Sequence, residues 1–202
     1  MKINFSPLML LIPVLLIFPG CKGDTEPDLL LSIDLQNGDL IFRRGRSVES
    51  HAVLITDPGS RFSHVGMVII ENETPFVVHA VPGENKYGPD YIRKEKVQEF
   101  LAPEKASAYS IYRSSFSKEV NTKAAQIASR LYKEKVLFDK SFDLTTTDQI
   151  YCTELILVAF QAASNNALKL NTTQLDVLFG KLEILMPENI IEDSHFQPII
   201  NN

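Results

Sequence analysis

The alternation of apolar and polar positions predicts a small antiparallel sheet in the first half of the chain. Residues 63–70 and 75–81 are runs rich in Val, Ile and Phe, and the polar segment between them is typical of a hairpin turn. A short strand at residues 40–42 follows the turn signal Asn37-Gly38-Asp39. Residues 108–113 alternate in the same way and predict one more strand.

Helical periodicity dominates the second half of the chain. Residues 118–135 carry apolar side chains at helical spacing on one face, and residues 150–163 are apolar nearly all round, which predicts a buried helix. Residues 47–56 also have helical spacing and end at the stop signal Asp57-Pro58-Gly59. This mixture predicts an α+β fold in which a small antiparallel sheet packs against helices.

The N-terminal segment has the pattern of a targeting sequence. Lys2 precedes an apolar run over residues 7–18, and Gly20 and Cys21 follow. A small residue directly before a Cys resembles the cleavage site of bacterial lipoproteins, where the Cys is acylated. We therefore predict a signal peptide over residues 1–20, a lipidated Cys21 with a linker over residues 21–30, and one folded domain over residues 31–202. The protein would then be exported and anchored by lipid to the cell envelope; an ordinary secretory signal is the alternative.

Charge and cysteine content narrow the function. The net charge is -5 and no stretch is strongly basic, so nucleic acid is not an expected partner. The chain has two Cys, and if Cys21 carries lipid, Cys152 is a lone thiol in an oxidising compartment. Catalysis is a common reason for such a thiol. A disulfide between Cys21 and Cys152 is the competing explanation.

Cys152 lies near the start of the predicted helix over residues 150–163. Thr147 or Asp148 would serve as the N-cap and place Cys152 in the first turn, where free backbone N–H groups and the helix dipole favour negative charge. Such a position lowers the pKa of a thiol and makes it nucleophilic. A buried Cys that only packs in the core is the alternative.

A nucleophilic thiol needs a base, and the chain has four His. His64 and His79 interrupt apolar strands, whereas His51 and His195 lie in polar segments. If the two strands pair about a turn near Asn72, His64 and His79 are roughly opposite each other and close enough for a base and the group that orients it. Two half-buried His that bond only the backbone are the alternative.

Three segments in this order resemble a known family: Gly38-Asp39-Leu40-Ile41-Phe42, Ser63-His64-Val65-Gly66-Met67-Val68 and Tyr151-Cys152-Thr153-Glu154-Leu155. They are similar to the circularly permuted NlpC-type papain-like hydrolases, in particular the YiiX-like branch, which is related to lecithin retinol acyltransferase-like proteins. The resemblance implies a permuted papain-like fold with the nucleophile at a helix N-terminus. It also implies site roles for Cys152 (nucleophile), His64 (base) and His79 (third polar residue). Tyr151 is then a residue of the substrate pocket or of the packing around it, and Asp39 shapes the turn into the strand or belongs to the substrate pocket.

The same resemblance implies a cysteine amidase or peptidase that works through an acyl-enzyme without a cofactor or metal, on a substrate such as a cell-wall peptide. An acyltransferase or esterase acting on a lipid-like acyl substrate is the alternative, as is a binding module with no activity. A metal site of His64, His79 and Cys152 is a further alternative, but the paired spacing of His or Cys that is typical of zinc sites is missing.

Overall fold

A six-stranded antiparallel sheet and the helices packed on it form the body of the molecule. The computed structural model describes residues 33–57, 59–83, 88–177 and 180–201, and the predicted signal peptide, Cys21 and the boundary at residue 31 lie outside them. In chain order the elements are β1 (Leu40–Gly45), α1 (Val48–Thr56), β2 (His64–Glu71), β3 (Thr74–His79), β4 (Arg93–Lys96), α2 (Val97–Phe100), β5 (Ala106–Ser114), α3 (Lys118–Lys133), β6 (Leu137–Phe138), β7 (Gln149–Ile150), α4 (Cys152–Ala163), β8 (Thr173–Val177), β9 (Gly180–Ile184), α5 (Pro187–Ile191) and β10 (Phe196–Asn201).

The strand order in the main sheet is β10-β5-β1-β2-β3-β4, and every neighbouring pair is antiparallel. The main core contains apolar side chains from β1 and β2, such as Phe42 and Met67, together with Leu155, Ile156 and Ala159 from α4. An apolar helix of this kind is stable only where its neighbours cover it. The predicted α+β class is confirmed, and the buried helix α4 lies against the sheet as its composition requires.

The hairpin of β2 and β3 has a different register from the one expected. Its turn consists of Asn72 and Glu73, both with positive φ (49° and 64°), and Met67 pairs with Val78. His79 is therefore opposite Gly66 rather than opposite His64, so the two His are diagonal neighbours, two residues apart on the same face. Gly66 allows this close approach, since a Cβ added there would lie 3.1 Å from Cβ of His79.

The start of α4 also differs from the expectation. The N-cap is Tyr151, not Thr147 or Asp148, and Cys152 is the first helical residue. The helix starts later because Gln149 and Ile150 pair in parallel with β6 and so belong to an extended segment. The prediction that Cys152 lies at a helix N-terminus is confirmed.

Several strands had no signal in the sequence. The residues of β4 are Arg, Lys, Glu and Lys, a polar run that does not alternate with apolar residues. This strand is at an edge of the sheet, where one side is open to solvent and charged residues are tolerated. The edge strand β10 and the hairpin of β8 and β9 were missed as well. Among the helices of the described ranges, none is long and apolar enough to cross a bilayer.

Candidate active site

Cys152 is held in place by its two neighbours. The hydroxyl of Tyr151 accepts a hydrogen bond from the backbone N–H of Leu185 at 3.1 Å, and the hydroxyl of Thr153 donates to the carbonyl of Leu185 at 2.6 Å. Both side chains are almost fully buried, whereas Cys152 itself is partly exposed. Leu185 thus holds the residues on both sides of Cys152, and this fixes the direction of its sulfur.

Burial, not the helix N-terminus, dominates the electrostatics of the thiol. Desolvation raises the pKa of Cys152 to about 11, although hydrogen bonds from the backbone N–H groups of Val65, Thr153 and Cys152 act in the opposite direction. The N–H groups at the start of α4 thus lower the pKa of the thiol, as its position predicts, but burial raises the pKa by more than these groups lower it. The hydrogen bond to Val65 places the sulfur beside the start of β2, next to His64.

His64 and His79 contact each other directly. Nε2 of His64 lies 2.9 Å from Nδ1 of His79, and the two rings meet edge to face. His79 has no exposed surface and His64 very little. Burial lowers the pKa of His64 well below its usual value, and the positive charge of Arg43 and the neighbouring His79 add to this effect. His64 is therefore a neutral imidazole at neutral pH and is able to accept a proton.

A carboxylate continues this row of side chains. Oε1 of Glu95 lies 3.1 Å from Nε2 of His79, and Oε2 of Glu95 lies 2.5 Å from Nζ of Lys105. Val77 is the residue of β3 that pairs with Glu95, so Glu95 is two residues out of register with His79. His64, His79 and Glu95 thus form a diagonal row across three adjacent strands. Sequence reasoning missed Glu95 because nothing in the polar run of β4 distinguishes it from a surface residue.

Burial alone would raise the pKa of Glu95. The hydrogen bonds and charges of His79 and Lys105 outweigh this effect and lower the pKa of Glu95 to about 2. Arg43 adds a further positive charge, since its Nη1 lies 3.8 Å from Oε1 of Glu95. Glu95 is therefore ionised throughout the physiological pH range.

Cys152 and His64 line the same cavity, which has a volume of about 670 Å³. Most of its wall is apolar and comes from α1, from the β8–β9 hairpin and from the segments around β6. Charged side chains that also line it include Arg46, Glu49, Glu104 and Lys140. The apolar lining side chains include Ala52, Val53, Phe138, Phe142, Leu175, Leu182, Ile184 and Met186.

Asp39 and Tyr151 are not among the residues that line this cavity, so the structure favours the alternatives to a substrate-pocket role, namely turn shaping for Asp39 and packing for Tyr151. The buried carboxylate of Asp39 accepts two hydrogen bonds from Arg113, each 2.8 Å long, and a third from the backbone N–H of Gln36. It ties the turn before β1 to β5. Tyr151 anchors the start of α4 through Leu185, as described above. Both residues therefore make structural contacts and do not line the cavity.

The chain also matches a known protein family. A family model described as permuted papain-like amidase enzymes, YaeF/YiiX, C92 family, matches residues 34–199. The chain belongs to this family. An uncharacterised YaeF/YiiX-family protein named YiiX, from Escherichia coli strain K12, is 32% identical over 130 residues, which are 63% of this chain and 58% of YiiX. The chain therefore spans less than two thirds of that relative.

A solved structure confirms the permuted papain-like fold. The crystal structure described as that of the metalloprotein yiiX from Escherichia coli O157:H7 has a TM-score of 0.68, with 21% identity, and the match covers 83% of this chain and 97% of that chain. At this identity the likeness speaks for the fold alone. Within the described ranges of this chain, no group of three or more His, Cys, Asp or Glu side chains is arranged to hold a metal ion.

Proposed function

We propose that the protein is a cysteine hydrolase that cleaves an amide bond next to an apolar acyl group, with Cys152 as nucleophile, His64 as general base and His79 as the residue that orients His64. One arrangement carries this proposal: Cys152 and His64 line the same largely apolar cavity, and Nδ1 of His79 bonds Nε2 of His64. Membership of a family of amidases supports the reaction class.

The chemistry follows from the protonation states. In the free enzyme both the thiol and the imidazole are neutral, because burial disfavours either charge. As Sγ of Cys152 attacks the carbonyl carbon, its proton moves to His64, and the new charges attract each other inside the site. Backbone N–H groups at the start of α4 stabilise the oxyanion. His64 then protonates the leaving amine, the C–N bond breaks, and water activated by His64 hydrolyses the acyl-enzyme.

The cavity wall favours a lipid-like acyl group over a cell-wall stem peptide. A stem peptide carries several charges, and those that face side chains such as Val53, Leu182 and Met186 would lose water without gaining partners. An alkyl chain gains about 0.8 kcal/mol for each CH2 that such a wall buries. The charged residues that also line the cavity, such as Arg46 and Lys140, suit the polar remainder of the substrate.

The test is a series of p-nitrophenyl esters and matching N-acyl amides with acyl chains from two to twelve carbons. We expect kcat/KM to rise with chain length and intact-mass spectrometry to show the acyl group on Cys152. Cys152→Ala and His64→Ala abolish both signals, whereas the control His51→Ala, at an exposed position outside the cavity lining, leaves them unchanged. A thiol that stays unmodified with every ester would refute the hydrolase and favour a binding module.

We also propose that the protein is exported and held at the envelope by a lipid on Cys21. The apolar run over residues 7–18 followed by Gly20 supports this. Metabolic labelling with an alkyne-bearing palmitate should mark the wild-type protein and not Cys21→Ser, and the variant should leave the membrane fraction. Labelling that survives Cys21→Ser would refute the anchor.

A metal site is the competing hypothesis, because the structural relative is described as a metalloprotein. Elemental analysis of the purified protein separates the two. A thiol hydrolase keeps its activity after dialysis against a chelator and contains metal far below one atom per chain. One tightly bound metal atom per chain, lost together with the activity in Cys152→Ala, would overturn the thiol mechanism.

A further inference from the structure

The protein needs one particular tautomer of His64, and nothing in the contact between the two His selects it. His64 is an acceptor at Nδ1 only if Nε2 carries its proton. Its Nε2 faces Nδ1 of His79 at 2.9 Å, and one proton lies between these two nitrogens. Either imidazole could carry that proton. The outcome therefore depends on what lies on the other side of His79.

We infer that Glu95 is a positioning residue of the site: its carboxylate fixes the tautomer of His79 and, through it, the tautomer of His64, so that Nδ1 of His64 is the atom that takes the proton of Cys152. Nε2 of His79 lies 3.1 Å from Oε1 of Glu95, and an ionised carboxylate attracts an N–H and repels a bare nitrogen lone pair, so the proton of His79 is more stable on Nε2. When His79 carries a single proton, that proton is on Nε2 and its Nδ1 is bare. That nitrogen accepts the proton on Nε2 of His64, and Nδ1 of His64 is left free.

The surroundings of Glu95 keep it charged and in place. Lys105, which directly precedes β5, bonds its other oxygen at 2.5 Å, and Arg43 of β1 lies 3.8 Å from the oxygen that faces His79. Arg43 is itself fixed, since Nη1 donates to the carbonyl of Phe100 at 2.8 Å and the guanidinium lies over the Phe100 ring. The same Phe100 ring also packs against both imidazoles. The carboxylate is thus oriented from three elements.

Glu95 also offsets a cost of the reaction. When His64 becomes an imidazolium ion, Arg43 repels it, because the positive charge of Arg43 already opposes protonation of His64. The negative charge of Glu95, one imidazole further along, acts in the opposite direction at the moment of proton transfer. This is the part that a third residue plays in other hydrolytic sites, extended here by one ring.

The direct test uses the wild-type protein and needs no substrate. Long-range 1H–15N spectra of the imidazoles distinguish a proton on Nδ1 from one on Nε2, and His51→Gln and His195→Gln assign the two remaining His. We expect both His64 and His79 to carry their proton on Nε2 at pH 7.5. A proton on Nδ1 of His79 would overturn the inference. The inference rests on the proposed function only for Cys152 as proton donor and His64 as base, so a protein without hydrolase activity would leave these spectra unchanged.

The second test removes the charge. In Glu95→Gln the tautomers of His79 should become mixed, and the rate at which iodoacetamide alkylates Cys152 at pH 7.5 should fall to about half, because only one of two similarly populated tautomers leaves Nδ1 of His64 free to accept the proton. Glu95→Asp should restore most of both. The matched control is Glu71→Gln, which breaks the 2.7 Å ion pair with Lys94 on the same sheet and should change neither. A folded Glu95→Gln protein with unchanged tautomers would refute the role.

Discussion

Two glutamates flank the site, one on each side, and their environments give them opposite properties. Glu95, on the histidine side, faces Lys105, Arg43 and His79, and these contacts lower its pKa to about 2 in spite of burial. Glu154, on the cysteine side, is also buried, but burial together with the charges of Asp139 and Asp143 raises its pKa to about 7. A glutamate side chain is thus always ionised at Glu95 and titrates near neutral pH at Glu154.

The difference follows from the number of donors and cations that replace water. Within the described ranges, Glu154 accepts one hydrogen bond, from the backbone N–H of Tyr151 at 3.3 Å. The charges that act on its pKa are those of carboxylates. Glu95 has cations on both of its oxygens. A fixed negative charge therefore lies beside His79, while on the other side a carboxylate serves mainly to cap the helix that presents Cys152.

The largest effect should come from removing the base on the histidine side. We expect His64→Ala to reduce kcat/KM on the preferred acyl substrate by about 10³-fold, within the roughly 10²–10⁴-fold range that general acid–base catalysis contributes. The measurement is steady-state kinetics at pH 7.5, with thermal unfolding to show that the fold is kept. A loss of less than about fivefold would mean that another group activates Cys152.

A lowering of the pKa of Glu95 from 4.5 to about 2 corresponds to about 3.4 kcal/mol, and water screens part of this because the side chain keeps some exposed surface. Glu95→Gln should therefore lower the free energy of unfolding by roughly 2–3 kcal/mol at pH 7. Because the folded pKa of Glu95 is below its usual value, this stability is present above pH 4.5 and is lost as the pH falls towards 2. Urea unfolding of both proteins at pH 7 and pH 3 checks this. A deficit that is equally large at both pH values would mean that packing, not charge, is lost.

Glu154→Gln should raise the free energy of unfolding rather than lower it. The folded pKa of Glu154 is raised, so the native state binds a proton more tightly than the unfolded chain, and stability falls as the pH rises from 4.5 to about 7. Gln keeps the acceptor for the N–H of Tyr151 and removes the charge. We expect the variant to be more stable than wild type by about 2 kcal/mol at pH 8 and equal at pH 4.5. A variant that is less stable at pH 8 would contradict the raised pKa.

The smallest effect should be that of His64 on the acidity of the thiol. Since both groups are neutral in the free protein, His64→Ala should change the pKa of Cys152 by less than about one unit from its raised value. Thiolate absorbance at 240 nm over pH 6–11 gives this pKa in both proteins. A wild-type midpoint below 7 that moves up by several units in His64→Ala would show a preformed thiolate–imidazolium pair instead.

The sequence by itself determined the elements whose burial leaves a periodic pattern and the residues whose chemistry is distinctive. The helix at residues 118–135, the apolar helix that follows Cys152 and the strands that carry His64 and His79 are readable because each must present an apolar face to the core. Cys152, His64 and His79 stand out because thiols and imidazoles are few and interrupt apolar segments. The order of the three family motifs also indicated the permuted papain-like fold.

Tertiary structure alone decided what surrounds those residues. The two-residue turn at Asn72 and Glu73 shifted the hairpin and made His64 and His79 diagonal neighbours, which no periodicity reveals because the same face is kept after a shift of two. Glu95 lies in a charged run without a core-facing pattern, and only the pairing of β4 with β3 places it beside His79. Whether a thiol or carboxylate keeps its charge depends on neighbours distant in the chain. The pKa of Cys152 and the contrast between Glu95 and Glu154 are therefore properties of the fold.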